Sequence, residues 1–150
     1  MLHVVLVEPE IPQNTGNIAR SCLAAGARLH LIEPLGFQLD QTSLRRAGMD
    51  YWKHCDVHCW PSLEALRLAT PKAQFFFLTT KTRRPYWGTK FSDENYLVFG
   101  RETRGLPQSL LAAESDHLLT IPIDSRARSL NLATSVGIVL YEACRQLHLR

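Results

Sequence analysis

Three polar segments of the sequence carry residue types that could bind a ligand. The first segment covers residues 14–20, the second covers residues 100–107 and the third covers residues 121–131. Each contains glycine, asparagine, serine or charged residues where a simple connection would need only turn residues. Their amide, hydroxyl and guanidinium groups can form hydrogen bonds, and glycine allows a close approach of the backbone. The pattern indicates a polar site assembled from three loops.

Each segment also has a simpler structural interpretation. In the first segment, Asn14 can cap a helix while Arg20 points to water. The second segment can be a charged turn with two hinge glycines, and the third can be a basic linker that ends in a helix cap. No segment establishes a function by itself, and only the three together indicate one.

Several common catalytic and cofactor-binding patterns are absent from the sequence. No predicted strand is followed by Gly-x-Gly-x-x-Gly, which excludes a nicotinamide site or another glycine-rich Rossmann loop. The second segment lacks Gly-Lys-Ser/Thr, so it is not an ordinary phosphate-binding P-loop. The six histidines are scattered and do not define a Ser-His-Asp triad.

Residues 54–59 mix histidine, cysteine and aspartate, which are possible metal ligands. In a strand, alternation would separate the thiols from the imidazoles. One face would carry Cys55, Val57 and Cys59, and the other His54, Asp56 and His58. No second ligand pair with zinc-like spacing follows, so we expect no metal site.

Hydrophobic patterns predict the elements that position the three segments. Residues 2–7 are typical of a strand buried on both faces of a parallel sheet. Asn14 is predicted to cap a helix through Ala25, with Gly26 as its left-handed terminator. We expect further strands at residues 28–32, 55–60, 74–80, 95–99 and 117–121, and further helices at residues 44–47, after Ser62, after Pro107 and from Leu132 to Leu147.

This alternation predicts one α/β domain over residues 1–150, with a mainly parallel sheet and flanking helices. Ligands of such sheets bind near the strand ends, where the three segments lie. Residues 81–94 are expected to form an exposed loop. The terminal helix has a broad apolar face, and Gly137 suits close contact with another backbone. We expect this helix to form a subunit interface or, equally, to be sandwiched inside one monomer.

The net charge indicates the class of partner, and the apolar residues at the N-terminus indicate the location. The formal net charge of +3 permits an anionic partner without naming one. The N-terminal apolar run is too short for a signal peptide or a membrane span, so we expect a cytoplasmic protein. The four cysteines are then expected to be free thiols.

Taken in order, the three segments resemble motifs one, two and three of the SPOUT methyltransferases, in the branch that methylates ribose 2′-oxygens. The resemblance covers nearly the whole chain. It is carried by Phe99-Gly100-x-Glu102-Thr103-x-Gly105-Leu106-Pro107 and by Ser129-Leu130-Asn131-Leu132. Within this branch, residues 8–17 and 45–51 are similar to the tRNA wobble-nucleotide 2′-O-methyltransferases.

The resemblance implies a SPOUT fold with a deep C-terminal trefoil knot, and a homodimer. It implies S-adenosylmethionine-dependent 2′-O-methylation of the wobble pyrimidine of leucine-type tRNAs. The alternatives are a SPOUT enzyme for another tRNA position or for ribosomal RNA, and a catalytically silent RNA-binding dimer. An enzyme is favoured over the silent dimer by the intact Arg20, Glu102, Ser129 and Asn131.

The resemblance also implies roles for individual residues. It assigns the reaction centre to Asn14, Arg20, Glu102, Ser129 and Asn131. It assigns S-adenosylmethionine to a pocket formed by Leu78, Thr79, Gly100, Ile121, Ser129 and Leu130. Arg20 could be a general base or an electrostatic stabiliser, and its high pKa argues against the first role. Glu102 is expected to orient either Arg20 or the second segment.

Contact with tRNA is expected from basic residues, since RNA binding depends on phosphate contacts and base stacking. The candidates are Arg45, Arg46, Arg104, Arg126 and Arg128, together with Lys81, Arg83, Arg84, Tyr86 and Trp87. For each basic residue the alternative is a solvated surface charge. A dimer could place the basic loops of one chain beside the cofactor pocket of the other.

Overall fold

Strands and helices alternate along the chain in a computed structural model that describes residues 1–46 and 50–147. The strands are β1 (His3–Val7), β2 (Arg28–Ile32), β3 (Val57–Trp60), β4 (Gln74–Leu78), β5 (Asn95–Phe99) and β6 (Leu118–Leu119). The helices are α1 (Pro12–Ala25), α2 (Gln41–Arg46), α3 (Leu63–Ala69), α4 (Gln108–Ala113) and α5 (Leu132–Gln146). Short 3-10 helices occur at Trp52–His54, Tyr86–Gly88 and Ser115–His117.

The six strands form one sheet in the order β3-β2-β1-β5-β4-β6. Every pairing is parallel, so the predicted α/β fold with a mainly parallel sheet is confirmed. Parallel strands end at the same edge of the sheet, which brings the loops after β1, β4, β5 and β6 together. The trefoil knot stays a prediction, because strand order alone does not trace a crossing of loops.

Two apolar layers hold the helices on the sheet. On one face, Val4 and Leu6 of β1 belong to the same buried cluster as Ile18 of α1 and Leu140 of α5. On the other face, Val5 belongs to a cluster that includes Leu66, Phe77 and Leu111. β1 is thus buried on both sides, as its continuous aliphatic run predicts.

The prediction that Asn14 caps α1 is wrong. The helix begins at Pro12, and Ile11 is its N-cap without a side-chain cap hydrogen bond. Proline has a helical φ and no N–H to satisfy, so it starts the helix three residues earlier than predicted. Asn14 therefore lies inside the helix and is buried. The other end is as predicted, because Gly26 terminates α1 with a φ of 66°.

Other predictions also differ from the structure. Strand β3 begins at Val57, because the preceding 3-10 helix occupies the chain up to His54. Strand β6 has only two residues, and its predicted first residue, His117, lies in another 3-10 helix. Residues 81–94 are not wholly exposed, since Phe91 is buried in the core. Ala47, predicted at the end of α2, lies outside the described residues.

None of the described helices has both the length and the apolar character needed to cross a membrane.

Candidate functional site

A cavity of about 820 Å³ lies where the loops after β4, β5 and β6 meet. Its volume is in the range of small-molecule sites, roughly 300–1,000 Å³. The structure brings together all six residues that the sequence assigned to the cofactor. The lining includes Leu78, Thr79, Gly100, Ile121, Ser129 and Leu130. Asn14, Glu102 and Asn131, which were assigned to the reaction centre, line it too.

Gly100 is required by the shape of the second segment. A Cβ atom on Gly100 would lie 2.6 Å from the Cα of Gly105 and would also overlap the Gly105 carbonyl carbon and the Leu106 nitrogen. The segment closes on itself because the Gly105 N–H donates to the Arg101 carbonyl at 2.9 Å. We expected Gly100 to allow a close approach of the cofactor, but the near group is the backbone of its own loop.

Glu102 joins the second segment to the start of α1. Its carboxylate accepts hydrogen bonds from the backbone N–H of Glu10, at 3.0 Å, and of Ile11, at 2.5 Å. In return, Oε1 of Glu10 accepts from the N–H and the hydroxyl of Thr103, at 3.1 and 2.8 Å. These bonds from Thr103 lower the pKa of Glu10. Glu102 was expected to orient either Arg20 or the second segment. Its hydrogen bonds in the structure orient the second segment.

Asn14 and Asn131 join the first and third segments. The Nδ2 group of Asn131 donates to Oδ1 of Asn14 at 3.1 Å. Oδ1 of Asn131 accepts from the N–H of Thr134 at 3.1 Å, so the same side chain caps α5. The amide of Asn131 therefore uses both of its ends to hold α5 beside α1.

Arg20 does not line the large cavity. It is exposed on α1 and lines a second, open cavity of about 470 Å³. The other lining residues are Asn17, Ser21, Ala24, Asn131, Ala133, Thr134 and Tyr141. Asn131 lines both cavities, so this one side chain lies between Arg20 and the large cavity. The structure thus places Arg20 outside the large cavity, and Asn131 is the reaction-centre residue that the two cavities share.

Tyr51 is a site residue that the sequence argument did not single out. Its ring lies under the Arg20 guanidinium, 5.7 Å from ring centroid to Cζ, which is a cation–π distance. Its hydroxyl donates to the carbonyl of Gly16 at 2.5 Å. Burial raises the pKa of Tyr51, so the hydroxyl stays protonated and remains a donor. No local spacing links Tyr51 to the first segment.

The predicted RNA-binding arginines lie in three different environments. Arg104 and Arg128 are exposed and line the large cavity. Arg126 forms a two-point ion pair with Asp124, at 2.8 and 3.0 Å, so its charge is already compensated. Arg45 and Arg46 are exposed in the last turn of α2.

Within residues 1–46 and 50–147, no group of three or more metal-ligating side chains is placed to hold an ion. The expectation that the protein needs no metal stays a prediction.

The chain is similar to known RNA methyltransferases over nearly its whole length. The family model described as "SpoU rRNA Methylase family" matches residues 1–141. The tRNA (cytidine(34)-2′-O)-methyltransferase of Escherichia coli (strain K12) is 47% identical over 148 residues, which cover 98% of this chain and 94% of the relative.

Solved structures extend this similarity to the fold. A structure concerned with "the 2-OH methylation of C/U34 on tRNA" is 46% identical and has a TM-score of 0.92, with 100% of this chain and 98% of that chain covered. An AdoMet-bound rRNA methyltransferase from Sinorhizobium meliloti is 29% identical and has a TM-score of 0.83, with 98% and 57% covered.

Proposed function

The chain belongs to the SpoU rRNA methylase family, and from this premise we propose that it methylates the ribose 2′-oxygen of the pyrimidine at position 34 of tRNA. The methyl donor is S-adenosylmethionine. The observation that carries the proposal is one cavity lined by the second and third segments together with Asn14 of the first segment. The resemblance of residues 8–17 and 45–51 to wobble-nucleotide enzymes supports leucine-type tRNAs as substrates, and action on tRNA supports the cytoplasm as the location.

The large cavity fits S-adenosylmethionine in size and in chemistry. Its apolar side chains, Leu78, Ile121 and Leu130, can pack on an adenine ring. In the described part of the chain, the backbone amides of Ile121, Ser129 and Leu130 make no hydrogen bonds with other residues, so they can bond to the ligand. When bound, S-adenosylmethionine supplies a methyl carbon on a positively charged sulfur.

In this proposal, Arg20 binds RNA beside the cavity rather than the cofactor within it. A guanidinium keeps its proton, so it can hold a phosphate and stabilise negative charge that develops on a ribose oxygen. Tyr51 packs under the guanidinium and limits its freedom. Asn131 lies between Arg20 and the cavity and fixes the distance that the substrate must span.

We also propose that the protein works as a homodimer with the trefoil knot of its family. Helix α5 buries Val136 and Leu140 but leaves Tyr141 47% exposed. A Cβ atom on Gly137 would meet no described atom within 4 Å, so this side of α5 is not sandwiched inside the monomer. Tyr141 also lines the second cavity, so a partner on this face would cover Arg20.

A defined RNA substrate tests the reaction. Anticodon stem-loops of a leucine-type tRNA, with a pyrimidine at the wobble position, are incubated with the protein and radiolabelled S-adenosylmethionine. A matched stem-loop has 2′-deoxyribose at that nucleotide only. We expect label on the first RNA and none on the second, because the second lacks the accepting oxygen.

Other outcomes overturn parts of the proposal. Equal labelling of both RNAs places the methyl group at another position. No labelling, by a protein whose melting temperature rises with S-adenosylmethionine, supports a silent RNA-binding protein, since a ligand of the folded state still stabilises it. Light scattering of the same sample should give twice the chain mass, and a monomer that methylates RNA contradicts the dimer.

A further inference from the structure

Trp87 is an exposed aromatic residue in the basic stretch of residues 81–90. Its side chain is 60% exposed, whereas the neighbouring Tyr86 packs against the hydrophobic core. The two rings meet edge to face, with centroids 5.6 Å apart and an interplanar angle of 61°. The sequence offers both aromatics for contact with a base, and the structure leaves Trp87 as the exposed one of the two.

The backbone on both sides of Trp87 is anchored. Before it, Thr120 donates its N–H to the Arg84 carbonyl at 2.8 Å and accepts from the Tyr86 N–H at 2.9 Å. After it, the side-chain amide of Gln146 on α5 donates to the Thr89 carbonyl at 3.0 Å and accepts from the Phe91 N–H at 2.8 Å. An anchored backbone loses little conformational entropy when the segment binds a ligand.

The anchored segment adjoins the large cavity. Thr120, which holds the backbone before Trp87, directly precedes the cavity residue Ile121, and Lys81 at the start of the segment lines the same cavity. Among the described residues, the side chains of Lys81, Arg83 and Lys90 form no ion pair. All three are exposed. Free cations in the same segment as an exposed aromatic ring match the phosphates and bases of a single-stranded nucleic acid.

We propose that Trp87 stacks on an unpaired base of the anticodon loop, next to the nucleotide whose ribose enters the cavity. Lys81, Arg83 and Lys90 bind the phosphates on either side of that base. Every base has a π-face, so this contact increases affinity for an unpaired loop without selecting one base. The inference rests on the proposed function, since it assumes that an RNA loop is the substrate.

Two substitutions of Trp87 separate stacking from structure. Trp87→Ala should raise the KM for the anticodon stem-loop about tenfold, the lower part of the range for loss of one stacked base. Trp87→Phe should retain most of the affinity, and kcat at saturating RNA should stay within twofold in both. Leu68→Ala is the matched control, because Leu68 is 82% exposed on α3 and lines neither cavity.

Fluorescence and an abasic RNA identify the contact. The protein has three tryptophans, and stacking should quench Trp87, so the quench on RNA binding should vanish in Trp87→Phe. A second stem-loop carries abasic sites beside the wobble nucleotide. Wild-type protein should bind this RNA about tenfold more weakly than the intact stem-loop. Trp87→Ala should bind the two RNAs equally, because it has already lost the stacking contact.

The outcomes for the inference and for the proposed function are distinct. Wild-type methylation with an unchanged KM and an unchanged quench in the Trp87 variants overturns the stacking role alone. A quench that depends on Trp87, in a protein that methylates no RNA, overturns the proposed reaction and leaves the stacking role standing.

Discussion

The large cavity and a buried histidine pair on the sheet use polar groups in opposite ways. Nδ1 of His3 lies 3.0 Å from Nε2 of His30, and both side chains are nearly inaccessible. Trp60 donates its indole N–H to Nδ1 of His30 at 3.0 Å, and Nε2 of His3 lies 2.7 Å from Oε2 of Glu94. The ring of Tyr96 stacks on His3 at 4.0 Å.

This chain of hydrogen bonds has one consistent direction. An indole N–H can only donate, so Nδ1 of His30 must accept and its Nε2 carries the proton. His30 then donates to His3, and His3 donates to Glu94. Every ring nitrogen is paired while both imidazoles are neutral.

The large cavity is arranged differently. Within the described ranges, the side chains of Lys81, Arg104 and Arg128 line it without an ion pair, and the backbone amides of Ile121 and Leu130 have no partner. Groups that are fully paired inside the protein stabilise the fold, whereas unpaired groups in an open cavity can bind a ligand. The comparison predicts that substitutions at the sheet edge that carries the cavities reduce activity, and that substitutions at the histidine pair reduce stability.

The largest expected effect is on activity alone. Arg20→Ala should lower single-turnover methyl transfer at least a hundredfold, about 2.7 kcal/mol in the barrier. The side chain is exposed and lies outside the large cavity, so the melting temperature and the affinity for S-adenosylmethionine should hardly change.

Lys72→Ala is the control for loss of an exposed positive charge, in the turn before β4 and outside both cavities. Arg20→Lys keeps the charge without the planar fork, so strong residual activity would indicate charge stabilisation. Wild-type rates in Arg20→Ala would show that the residue is not catalytic.

The next effect joins stability to the shape of the cavity. Gly100→Ala should lower the free energy of unfolding by about 2–3 kcal/mol, because its Cβ would overlap backbone atoms that cannot move aside cheaply. Urea unfolding measures the loss, and S-adenosylmethionine affinity should fall with it. Gly88→Ala is the matched control, since its Cβ would meet no described atom within 4 Å. Equal stability of the two variants would contradict the backbone clash.

The smallest effect belongs to the histidine pair and depends on pH. Burial lowers the pKa of His30 to about 3, and burial also lowers the pKa of His3 from its ordinary value. Below about pH 6.5 the unfolded chain therefore binds protons that the folded chain does not. The free energy of unfolding should fall by about 2 kcal/mol for His30 between pH 7 and pH 5. Hydrogen bonds to the N-terminal amine and to His3 lower the pKa of Glu94 to about 2, so protonation of Glu94 reduces the free energy of unfolding only at lower pH.

Urea unfolding at several pH values measures this slope. His30→Leu should be less stable at pH 7, because it leaves Trp60 and His3 without their partner, but its stability should change less with pH. Leu68→Ala, which changes an exposed side chain and removes no titratable group, should keep the wild-type slope. A His30→Leu slope equal to that of wild type would remove the histidine pair as the cause.

Local patterns in the sequence determined the alternation of strands and helices, the buried β1 and the left-handed end of α1 at Gly26. These features depend on neighbouring residues, and hydrophobic periodicity and glycine φ preferences express them directly. The order of the three polar segments was also sufficient to indicate one shared site, because the strands before them had to be parallel.

Only the tertiary structure decided which polar groups pair. Asn14 bonds to Asn131, 117 positions away, instead of capping its own helix. Glu102 bonds to the backbone before α1, and Arg20 lies over Tyr51 in a cavity of its own. Such contacts have no period in the sequence. They follow from placing β1 between β2 and β5, and this order depends on packing over the whole chain.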